Sequence, residues 1–157
     1  MADGSARIFV CYESHFQGYA ERLDAWSHTN HDQAFYNRRV DVPVESAAAE
    51  STKRVLREQI QEADVTVCLI SQGAFHDDWI AWELETSKCG PSRNGLVGIF
   101  LHEHDPYPPA LVDSGAIFVP FQRDTVKGAI EWAVTERPTS DDFMFDDDWQ
   151  STGARKR

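Results

Sequence analysis

The chain has 157 residues, 41% of them hydrophobic and 26% charged, which fits one globular domain with its own core and would be cramped for two. Its 26 acidic against 15 basic side chains give a net charge of −11, a sign that repels phosphate backbones and anionic lipid and so argues against nucleic acid or a membrane surface as partner of the bulk surface. No apolar run approaches the roughly 20 residues of a membrane span, and Met1 to Ser5 lacks the basic and apolar regions of a secretory signal, so a cytoplasmic location is expected.

Short apolar runs alternate with segments of helical period. Arg7 to Tyr12 reads as a buried strand, and Phe16, Tyr19, Ala20, Leu23 and Trp26 then recur at helical spacing. Ala34-Phe35-Tyr36 reads as a short second strand. Asn37 to Glu50, with Pro43 and the paired arginines Arg38 and Arg39, has no clear period and reads as a long loop, a feature often functional in compact domains. Ser51 or Thr52 is a candidate cap for a helix whose buried stripe is Leu56, Ile60 and Ala63. Val65 to Ile70 is the most strand-like run, rich in branched residues and bounded by Asp64 and Ser71.

Trp79 to Cys89 is expected to be helical, capped by Asp77 or Asp78 and stopped by Gly90-Pro91. Leu96 to Leu101 is a fourth strand, His102 to Gly115 a rigid loop, and Ile117 to Phe121 a fifth strand of edge type, since Pro120 removes a ladder donor. Val126, Ala129, Ile130 and Ala133 mark the last helix. The domain is thus expected over residues 6–136. Residues 137–157 form an acidic tail, expected to be flexible, whose Phe143, Met144, Phe145 and Trp149 could alternatively dock on the domain or a neighbour.

Five apolar strands separated by helices imply right-handed βαβ crossovers and a parallel sheet covered on both faces. The expected fold is α/β, a flavodoxin-like three-layer α/β/α sandwich with a five-stranded parallel sheet of order 2-1-3-4-5. Ligands of such folds sit at the carboxyl ends of the strands near the switch point, which selects Tyr12 to His15, Ser71 to Gly73 and His102 to Asp105 as the rim.

Three cysteines cannot all pair, and Cys11 and Cys68 lie in apolar runs where a reduced thiol packs as a small hydrophobe. The absence of a CxxC pair argues against a zinc knuckle or a thioredoxin-like site, and the absence of GxGxxG and GxxxxGK[ST] against Rossmann redox binding and P-loop hydrolysis. Glu13 stands alone after the first strand, unlike the acidic pair of a magnesium-binding receiver domain. No metal site is expected. The ligand-type residues of His102-Glu103-His104-Asp105 lack third and fourth partners, so this segment reads as a solvated or substrate-contacting loop. His76-Asp77-Asp78 is discounted likewise, and Ser14-His15 has no orienting acid to make a triad.

The segment Asp77 to Glu85 carries the most chemistry. Trp79 and Glu83 are four apart and share a helix face, while Glu85 lies nearly opposite. A carboxylate beside an indole can stabilise an oxocarbenium-like ribose while the indole stacks on a flat leaving group. Nicotinamide leaves NAD as a neutral molecule from a cation, so one carboxylate suffices. The plainer alternative is a solvated glutamate on an amphipathic helix.

Arg7-Ile8-Phe9-Val10-Cys11-Tyr12 with Ser14 and His15, the box Ile60 to Ser71, and Asp78-Trp79-Ile80-Ala81-Trp82-Glu83-Leu84 together resemble the TIR domain superfamily, most closely the TIR-like component of the Thoeris antiphage system. The resemblance implies cleavage of the nicotinamide-ribose bond of NAD, with NAD as substrate and no bound cofactor, Glu83 matching the catalytic glutamate and Trp79 the aromatic beside it. It places Tyr12, Ser14, His15 and Ser71 at the nucleotide rim, with His102 added from the loop beyond the fourth strand. Arg38, Arg39 and Asp41 fall in a loop that borders the pocket and mediates assembly in TIR domains, where an arginine can chelate a diphosphate, pair across an interface or stand exposed. The implied partners are NAD, a second copy of the chain, and a separate effector activated by an ADP-ribose-derived product. A non-catalytic TIR-like adaptor is the alternative, and a nucleoside deoxyribosyltransferase-like enzyme a third.

Overall fold

The computed structural model describes residues 6–26, 28–30, 39, 41–89 and 94–135. Five parallel strands form one sheet of order β2-β1-β3-β4-β5: β1 (Arg7–Cys11), β2 (His28–Asn30), β3 (Val65–Ile70), β4 (Gly95–Phe100) and β5 (Ile117–Pro120). β1, β3, β4 and β5 make up the body of the sheet, which the three-residue β2 extends at one edge. The helices whose bounds lie among the described residues are α1 (Gln17–Trp26), α2 (Glu50–Glu62), α3 (Asp78–Lys88) and α4 (Arg123–Thr135); Arg39 and Asp41 are also helical, where the sequence reading expected a loop.

Strand alternation sorts the core into two layers. Phe9, Cys11, Cys68 and Ile70 face α2 and α3, meeting Leu56, Ile60, Ile80 and Leu84. Ile8, Val10, Tyr12, Val67 and Leu69 face α1 and α4, meeting Leu23, Val126 and Ile130. Every residue of β3 is buried, as expected for the centre of a sheet covered on both faces.

The second strand departs from the sequence reading. It is the polar triplet His28–Asn30, whose residues pair with Arg7 to Phe9, while Ala34 to Tyr36 lie outside the described residues. An edge strand is defined by backbone pairing to one neighbour and needs no apolar run. The expected cap at Ser51 or Thr52 is also displaced. A short 3-10 turn (Ala47–Ala49) leads directly into α2 from Ala49, without a side-chain cap, and Thr52 is buried inside the helix. α3 does begin at Asp77, whose carboxylate accepts from the Ile80 amide at 2.9 Å. The stop residues Gly90 and Pro91, and the tail beyond residue 135, lie outside the described residues.

A polar network fixes how α3 sits on the sheet. The hydroxyls of Thr66 on β3 and Ser87 on α3 are 2.7 Å apart, and the Asn94 amide donates to Thr66 Oγ1 and to the Ile60 carbonyl, both at 3.0 Å. Ser87 also donates to the Glu83 carbonyl at 2.9 Å. All of these groups are buried and satisfied, which specifies one rotation of the helix.

Close approach of α4 to the sheet depends on Gly95, where an added Cβ would stand 2.5 Å from the Ala133 carbonyl oxygen. That oxygen belongs to helix backbone and cannot swing aside. Gly95→Ala is expected to destabilise the fold by about 1–3 kcal/mol, the usual cost of overpacking, as read from denaturant-induced unfolding.

Candidate active site

The carboxyl ends of β1 and β3 and the first turns of α3 converge on one acid. Glu83 points from α3 toward the sheet and is 0% exposed, whereas Glu85 is exposed. Its Oε2 accepts from Arg39 Nη1 in an ion pair buried on both sides. Arg39 Nη2 also donates to the Tyr12 carbonyl at 3.3 Å, and the guanidinium carbon lies 5.7 Å from the centre of the Trp79 ring, within range of a cation–π contact. The Trp79 indole N–H donates to the Val42 carbonyl at 2.9 Å. The chain around residues 39–44 is thereby tied to α3 at both the acid and the indole.

Burial pushes the Glu83 carboxyl up to about 7; Arg39 opposes this by its charge and its hydrogen bond, Asp77 adds to the rise, and the Cys11 thiol lowers it by hydrogen bonding. Asp77 is raised in turn, first by burial, with its bond to the Ile80 amide and the Arg39 charge acting against that. The Cys11 thiol is raised well above its ordinary value by burial and by the neighbouring Glu83, and Cys68 is raised by the same two causes, so both stay protonated and unreactive.

A second acid sits at the same rim. Glu13, two residues beyond the end of β1, accepts on Oε1 from the Ser71 hydroxyl and from the Gly73 amide, the latter at 3.2 Å. Among the described residues no group of three or more His, Cys, Asp or Glu side chains is arranged to hold a metal ion.

The predicted site residues separate under this geometry. Glu83, Trp79 and Ser71 lie at the converging strand ends. Tyr12 contributes its carbonyl to Arg39, but its side chain is 1% exposed and packs in the layer facing α1 and α4; burial raises the phenol to about 12. Ser14 and His15 belong to a 3-10 turn (Ser14–Phe16) leading into α1, and His15 is exposed. His102 is exposed, its Nδ1 lying 3.5 Å from the Asp105 carboxylate. Among the described residues, none of these three hydrogen-bonds or ion-pairs with the Glu83 cluster. Asp41 is exposed, and Arg38 lies outside the described residues; among the described residues, the arginine in the site is Arg39.

The cleft also differs from expectation. The plainer reading of the sequence is a solvated glutamate, but Glu83 is enclosed. An open cavity of about 620 Å³ lies instead over the ends of β4 and β5, lined by Phe100, Glu103, Tyr107, Phe118, Pro120 and Phe121 among others. Neither Glu83, Arg39 nor Trp79 lines it.

Glu13, Cys11 and Arg39 carry the site's remaining contacts. The switch-point rule had selected the segments holding Glu13 and Gly73 without assigning them a role. For Arg39 the signals were a pair of adjacent arginines in an aperiodic segment and the resemblance that sets this segment at the pocket's border.

The parallel sandwich with an acid at its carboxyl rim is the architecture of a TIR-like domain. A family model described as Thoeris protein ThsB, TIR-like domain, matches residues 9–106, more than half of the chain, and the chain belongs to that family. A search of the curated proteins returned no match.

The raised acid sets a pH dependence. The ordinary value of the Glu83 carboxyl is 4.5 and its folded value about 7, so between these the folded state binds more protons than the unfolded one and stability falls as pH rises. Denaturation of the wild type is expected to show full stability from this group below about pH 4.5 and its loss through pH 7, at up to about 1.4 kcal/mol per pH unit. In the Arg39→Met, Glu83→Gln double variant, that part of the slope disappears.

Proposed function

We propose that the protein is a TIR-like NAD-consuming enzyme of antiphage defence, which cleaves the nicotinamide-ribose bond and releases an ADP-ribose-derived cyclic or conjugated signal for a separate effector. The observation that carries this reading is the pairing of a buried carboxyl, raised to about 7, with a planar cation held over an indole. A site that accommodates the Arg39 guanidinium between Glu83 and Trp79 has the chemistry to stabilise a ribosyl oxocarbenium beside a flat aromatic leaving group.

In that reaction the bond between ribose C1′ and the nicotinamide nitrogen breaks, its electron pair leaves with nicotinamide, and positive charge develops at C1′. The Glu83 carboxylate faces that charge and Trp79 the departing ring. A water or a hydroxyl or amine of an acceptor then bonds to C1′ and gives up a proton, which the Glu83 carboxylate facing C1′ can accept. Substrate reaches Glu83 only after Arg39 withdraws from it. Membership of the Thoeris ThsB family supports the defence role.

A specific observation also favours the adaptor reading: as the structure stands, the acid is sealed by Arg39 and Trp79 is 7% exposed. An adaptor would self-associate or bind a partner without releasing nicotinamide.

Mass spectrometry of concentrated protein incubated with NAD separates the two. Nicotinamide and an ADP-ribose-derived product are expected from the wild type, and at least a hundredfold less from Glu83→Gln. Breaking the pair from one side leaves a buried charge and costs about 3–5 kcal/mol, so Arg39→Met, Glu83→Gln, which removes both charges, is the folded control and is also expected to be inactive. Turnover retained in both variants overturns the assignment of Glu83, and no turnover from the wild type at any protein concentration favours the adaptor.

A further inference from the structure

We infer that the Glu13 carboxylate occupies a built seat for a phosphate-type anion and sets how tightly the site binds one; the anion's identity as the diphosphate of a dinucleotide rests on the reading just given, but the seat itself does not. Three features define the seat. The Ser71 hydroxyl, on a residue 1% exposed at the end of β3, and the Gly73 backbone amide both donate to one oxygen of Glu13. The third is space: an added Cβ at Gly73 would fall directly on the Glu13 carboxyl group, so the anion lies against bare backbone. Gly73 has an ordinary φ of −91°, and glycine is therefore required there by close approach and not by conformation. A hydroxyl and an amide converging over a glycine suit a phosphate oxygen as well as a carboxylate.

The seat stands in register with the acid site. Cys11, whose thiol hydrogen-bonds Glu83, and Glu13 are two residues apart, with Glu13 in extended backbone, so their side chains leave the chain on the same side roughly 7 Å apart. An anion at Ser71 and Gly73 would thus lie on the same side of the β1 end as a ribosyl carbon at Glu83. Glu13 is tethered, half-buried and on a short loop, so it can swing out, and any phosphate entering must displace it. Its negative charge also raises the neighbouring Asp77. Removing Glu13 frees both donors and relieves that crowding of acids.

The test is calorimetric titration of the full chain with inorganic pyrophosphate, which needs no turnover. Glu13→Ala is expected to bind it at least tenfold more tightly than the wild type, Glu13→Gln to fall between them, and Ser71→Ala added to Glu13→Ala to remove the gain. Gly73→Ala, which evicts the carboxylate but fills its place, is expected to give no gain. Equal affinity of wild type and Glu13→Ala, with both folded by circular dichroism, overturns the proposal, as does a gain that survives Ser71→Ala. A tenfold gain without nicotinamide release from any form leaves the seat standing and removes the NAD reading; nicotinamide release with unchanged pyrophosphate affinity does the reverse.

Discussion

A charge pair taken out of water constrains everything at the carboxyl end of this sheet. Desolvating a guanidinium and a carboxylate costs several kcal/mol per ion, and their attraction repays it only with good geometry and further hydrogen bonds. The surroundings supply these: the Tyr12 carbonyl takes a second guanidinium proton, the indole of Trp79 lies within range of the guanidinium, and Cys11 adjoins the acid. Such a pair adds little net stability compared with apolar groups of the same shape, so the fold does not explain its presence. Val42 and Val44 pack nearby against the layer that contains α3, and the Trp79 indole ties Val42 to that helix.

The two rim acids are both engaged by the chain's own groups, with opposite polarity. A cation lies on Glu83, and an anion lies on the Ser71 and Gly73 donors. On the proposed reading, a molecule replacing both carries positive charge at one end and negative charge at another, a pattern that a nicotinamide dinucleotide has and an uncharged nucleoside lacks.

Legibility from sequence followed locality. β3 and α3 could be read because an apolar run, an Asp cap at Asp77 and an i,i+4 pair at Trp79 and Glu83 are all local signals, and the same pair separated an inward Glu83 from an outward Glu85. His28–Asn30 was hidden because an edge strand pairing through its backbone carries no apolar pattern. The burial of Arg39 was equally hidden, because in a segment without clear period only the path of the backbone decides that a side chain enters the core. The depth of Glu83 escaped notice because the partner that permits its burial lies 44 residues away.

The polar network between β3, α3 and β4 has a kinetic meaning. β3 and β4 share six register pairs and are joined through α3, so together with Thr66, Ser87 and Asn94 they can close as a unit of low sequence separation. β1 must cross to β3 from 57 residues away, where Ile8 faces Val65, and Arg39 reaches Glu83 across 44 residues. Contacts between such distant residues cost more loop-closure entropy than the pairing of β3 with β4. The lock on the acid is thus a long-range tie, whose closure costs more chain entropy than the strand pairing beside it.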